Sequence, residues 1–193
     1  MGYAVDRERK AGQISLMRYK IALAAAFLAL MPAGPALAAE ADPDFFAAAL
    51  CQPPYSMDSA TRLYEAAEKL AKPDTSGLGA AIYHLPAPIS QDGFVTQDVV
   101  FAGSSVGVLL EGQVAAQAAE RYHLSPEASH LFGASTLGFA RQLPDDQQGM
   151  AELGLISMIA REGPAMNGKT LLACEFVSNE DRQALEAYEK QRQ

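Results

Sequence analysis

Gly103-Ser104-Ser105-Val106-Gly107 forms a Gly-x-Ser-x-Gly pattern. In an α/β-hydrolase this pattern presents a serine nucleophile, here Ser105, on a sharp turn from strand to helix. The run Val99–Ala102 reads as the incoming strand, but Val106, Leu109, Leu110 and Val114 fit helical spacing as well as strand alternation. A serine nucleophile also needs a histidine base and an acid, which that fold supplies in the order Ser, acid, His. The last histidine is His130, so the set would have to close between Ser105 and His130. Glu111, Glu120 or Glu127 would be the acid, and His123 or His130 the base. The preferred reading is a Gly/Ser turn between two strands, where small residues accept unusual φ and close strand approach.

The other chemistry-bearing residues are scattered. Of the three histidines, His123 and His130 stand seven apart across a proline, which is neither the i, i+4 spacing of a helical zinc pair nor a short-loop chelate. No metal site and no cofactor are expected. Asp145-Asp146 lies in a Pro/Gln/Gly turn and Glu180-Asp181 in a first helical turn, both places where carboxylates act structurally. Met150, Met158 and Met166 recur every eight residues, but turn and strand separate them, so they read as core and loop residues. Tyr83-His84 leads into Leu85-Pro86-Ala87-Pro88-Ile89, an extended, polyproline-like stretch. Tyr83, Pro86 and Pro88 are the candidate binding residues there, because such segments are pre-ordered. The preferred reading is structural, a strand edge closed by proline, with recognition as the alternative.

Along the chain, Asp42-Pro43 reads as an N-cap and a proline at the first helical position, leading a short helix that ends near Cys51. Ala60, Leu63, Tyr64, Ala67, Leu70 and Ala71 predict an amphipathic helix, capped by Ser56 or Asp58 and stopped by Pro73. Six short β-like runs follow: Leu78–Leu85, Phe94–Ala102, Ser105–Leu110, Ser135–Leu143, Leu153–Arg161 and Lys169–Val177. Pro86, Pro88 and Gly93 separate the first two, and Ala102-Gly103-Ser104 turns the second into the third. Short connections make the last three an antiparallel meander, with Leu153–Arg161 apolar on both faces and therefore central. Alternation puts Leu137, Phe139 and Leu143, and Leu172, Cys174 and Phe176, on the inner side. Val114 to Tyr122 predicts a middle helix, Ser125-Pro126 caps a short one containing His130 and Leu131, and a last helix starts at Ser178 or Asn179. The expected fold is α+β, an antiparallel sheet with peripheral helices and one disulfide.

The strongest compartment signal is at the amino end. Arg18 and Lys20 precede an apolar run from Ile21 to Met31, then Pro32 and the small-x-small triplet Ala36-Leu37-Ala38. That order is a cleavable secretory signal peptide, and the run is too short to remain as an anchor across a bilayer core of roughly 20 residues. Residues 1–16 are a polar extension, and Met17 is the expected start. Removing residues 1–38 takes away five of 15 basic and two of 23 acidic residues, leaving 155 residues with a net charge of −11. Such a field repels nucleic acid and anionic lipid and favours neutral or cationic partners. Cys51 and Cys174 are the only cysteines, both beyond the cleavage point, and are expected to pair in an oxidising compartment.

The sequence thus reads as residues 1–38 of leader followed by a single exported α+β domain over 39–193, periplasmic or secreted. It is expected to work without catalysis, by binding an apolar small ligand or a protein partner, with no nucleic acid and no lasting membrane anchor. The alternative is a small serine-type hydrolase built on Ser105.

Overall fold

The computed structural model describes residues 43–77, 79–127 and 135–192. The leader with its cleavage triplet, Asp42, Leu78, His130 and Leu131 lie outside them. The protein is an α+β domain whose eight strands form one antiparallel sheet, in the order β1-β2-β3-β4-β8-β7-β6-β5. The strands are β1 (Pro73–Asp74), β2 (Ala81–Gln91), β3 (Phe94–Ala102), β4 (Ser105–Leu110), β5 (Ser125–Pro126), β6 (Leu137–Gln142), β7 (Gly154–Glu162) and β8 (Thr170–Ser178). The helices are α1 (Phe45–Ala49), α2 (Met57–Leu70), α3 (Ala115–Tyr122) and α4 (Asn179–Arg192).

Local chemistry explains most boundaries. Ser56 and Ser59 form a reciprocal capping box that opens α2, with each hydroxyl accepting from the other's backbone N–H at 3.2 Å. The cap of α1 is Asp44 rather than Asp42, its carboxylate accepting from Ala47 N–H at 2.9 Å. Asp92 and Gly93, with φ of 54° and 88°, make the two-residue turn that joins β2 to β3. Right-handed strand twist selects turns of this kind, and Asp-Gly accepts the positive φ they need. Gly103, at φ 55°, and Ser104 join β3 to β4.

Helices α1, α2 and α3 lie on one face of the sheet. Val106, Val108 and Leu110 of β4, Ile156, Met158 and Ala160 of β7, and Leu172, Cys174 and Phe176 of β8 bury against α1 and α3. Tyr83, Leu85 and Val99 bury against Phe45 of α1 and Ala67 of α2. Cys51, just past α1, is bonded to Cys174 in the middle of β8, with both residues buried and their Cα atoms 5.0 Å apart. The sulfur bridge therefore pins the shortest helix to a central strand, a pairing that suits an oxidising compartment.

Three local expectations need correction. Pro86 and Pro88 do not end the strand: β2 runs through both to Gln91, with an irregularity against β3 between His84 and Ile89. An edge strand tolerates this, because its outward N–H groups have no ladder partner to lose. Ser125-Pro126 does not cap a helix but pairs with Phe139 and Ala140 as a two-residue edge strand. Leu137, expected inside, is 38% exposed at the start of β6.

Among the described residues, β1 pairs only with Ile82 and Tyr83, so the outer edge of β2 beyond them is free of strand pairing. Pro86, Ala87 and Pro88 are exposed along it. Withheld N–H groups keep such an edge from templating another chain. Replacing both prolines, as Pro86→Thr with Pro88→Thr, is expected to increase concentration-dependent self-association in sedimentation velocity runs. An association state equal to that of the unsubstituted protein would show that the prolines do not guard this edge.

Candidate functional site

The hydrolase geometry is not formed. Ser105 opens β4, a strand and not a helix, and pairs across the ladder with Ala102 and Glu175. The neighbouring Ser104 hydroxyl donates to the Phe176 carbonyl at 2.6 Å, which closes the hairpin onto β8. Because Val106, Val108 and Leu110 face the helices, alternation turns Ser105 to the other side of the sheet. His123 sits with the helices, ending α3 in the left-handed conformation at φ 56°. The sheet therefore stands between Ser105 and His123, and His130 lies outside the described residues. The correction to the Gly-x-Ser-x-Gly reading is one of context: the pattern marks a β-hairpin.

The face turned away from α1, α2 and α3 carries charged side chains of its own. Arg161 stands opposite Leu171 in the ladder, yet its guanidinium reaches Glu175, four rungs away, at 3.0 Å. It also grips Glu127 at 2.6 Å. Its stem must pass over the rung of Ile159 and Ala173, each 1% exposed. Lys169, at the head of β8, crosses β4 to reach Asp98 on β3 at 2.6 Å, and it also meets Glu111 at 3.1 Å. Leu109 and Val100 lie in this region and are buried. Long basic side chains thus shield apolar surface while their heads stay at the water boundary.

His84 joins this cluster, its Nδ1 lying 2.8 Å from Asp98. Burial alone would push the Asp98 carboxyl up, but the hydrogen bonds from Lys169 and His84 outweigh it and hold Asp98 below the usual carboxylate range. The pairings tie β2, β3 and the start of β8 together. Among the described residues no group of three or more His, Cys, Asp or Glu side chains could hold a metal ion. Nor is any helix among them long and apolar enough to cross a membrane.

Buried polar groups also brace the helix side. The Glu162 carboxylate, at the end of β7, accepts from Ala115 N–H at 2.7 Å and from the Thr170 hydroxyl at 3.2 Å. Thr170 in turn accepts from Val114 N–H at 2.8 Å. Two orphan donors at the start of α3 are thereby satisfied by residues 47 and 56 positions away in the chain. Gln148 imitates a missing strand rung, accepting from Ile156 N–H and donating to the Leu143 and Ile156 carbonyls.

A concavity lies beside the proline stretch. The start of α1 and the end of β2 border an open cleft of about 320 Å³. Pro43, Phe45, Phe46 and Ile89 line it on the apolar side, the two phenylalanines only 3% exposed, and its polar members are Asp44, Ser90 and Gln91. Phe45 also packs into the cluster of Tyr83, Leu85 and Val99, so the wall is backed by fixed core. Tyr83, a candidate binding residue, is fully buried there between the rings of Tyr64 and Phe101, at centroid distances of 5.8 Å to each. Burial pushes its phenol well above the usual range. Tyr83 therefore supports the wall and offers no surface of its own, whereas Pro86 and Pro88 are exposed just upstream of Ile89. No sequence window points to the cleft, because residues 44–46 and 89–91 meet only in the fold.

No protein-family model, no curated protein and no solved structure matches the chain.

Proposed function

We propose that this chain is an exported, non-catalytic binding domain that holds an apolar small ligand in the cleft between α1 and β2. The observation that carries the reading is the hollow itself, about 320 Å³ and open to solvent, lined by Pro43, Ile89 and the exposed margins of the buried Phe45 and Phe46 together with the polar Asp44, Ser90 and Gln91. Ligand sites are commonly concave and mostly apolar, about 300–1,000 Å³ in size, with a small number of orienting polar groups. The disulfide anchors the helix that supplies half the wall, so the hollow is set before any ligand arrives. Export is supported by the leader pattern and by the cysteine pairing.

The chain contains no tryptophan, so one introduced at Ser90 would be a sole reporter. Titrating a Ser90→Trp variant with octan-1-ol is expected to give a saturable shift of its emission to shorter wavelength. The same response should persist when Ser105→Ala and His123→Ala are added. An emission that stays unshifted up to the solubility limit of octan-1-ol would overturn the cleft as a ligand site.

A further inference from the structure

We draw no further inference here: the strongest candidate, the cluster of His84, Asp98, Lys169 and Glu111 on the sheet face turned away from α1, α2 and α3, belongs to the bracing already described, because its charged groups satisfy one another within it.

Discussion

Replacing Cys51 and Cys174 together by serine is expected to lower the unfolding free energy by about 3–5 kcal/mol, the largest effect of any substitution considered. The bridge closes a loop with a sequence separation of 123, and in the chain-entropy treatment the stabilisation grows with the logarithm of that length. The site compounds the loss, because both residues lie in the main core beside Tyr55, Val106 and Phe176. Two buried hydroxyls would replace a sulfur bridge and would need hydrogen-bond partners of their own. Urea unfolding with circular dichroism checks this: the midpoint should fall with little change in folded-state spectrum. A loss under 1 kcal/mol would mean that α1 is held by packing alone. The cleft responds to the same change, since Phe45 and Phe46 ride on the helix that the bridge anchors.

The second large effect is expected at Glu162. Glu162→Ala removes the acceptor of the Ala115 N–H and a partner of Thr170, leaving a donor at the start of α3 unsatisfied in the core. Hydrogen bonds to a charged group contribute about 1.5–3 kcal/mol each, and negative charge at a helix start adds to this. A loss of about 2–3 kcal/mol follows, which for a domain of this size lowers the thermal midpoint by roughly 4–12 °C. Glu162→Gln keeps an acceptor oxygen at the same reach and is expected to recover part of the loss. Calorimetry of both variants decides it. Equal midpoints for Glu162→Ala and the unsubstituted protein would show that water or backbone satisfies Ala115 N–H just as well.

Much of the sheet was legible because strand periodicity is local. The apolar alternation over 94–102 and 105–110 gives β3 and β4 at their observed bounds, and the runs predicted for β7 and β8 are each offset by one residue. The turn at Gly103-Ser104 and the inward direction of Cys174 came from the same reasoning. Propensity misled where tertiary position overrides it. Proline stops a central strand, but Pro86 and Pro88 lie on a free edge, where the missing N–H costs nothing. Ser125-Pro126 has the composition of a helix start, yet β6 claims it as a rung.

The polar constellations were illegible for a different reason. Asp98 and Lys169 are separated by 71 positions, and Arg161 and Glu127 by 34, so no window of sequence contains either pair. An acidic residue next to the apolar pair Val99-Val100 was the one hint that Asp98 must be neutralised by something distant. Conversely, the Gly-x-Ser-x-Gly pattern was legible and uninformative, since the same small residues serve a hairpin turn as well as a nucleophile elbow.

The most direct measurement is chemical-shift mapping of the unsubstituted, disulfide-intact protein during titration with octan-1-ol. A seat between α1 and β2 predicts saturable perturbations confined to the backbone amides of Phe45, Phe46 and Ile89–Gln91 and their contacts, with Ser105 and His123 unmoved. Perturbations centred on Ser105 or His123, or no saturable change at Phe45, Phe46 and Ile89, would contradict the account.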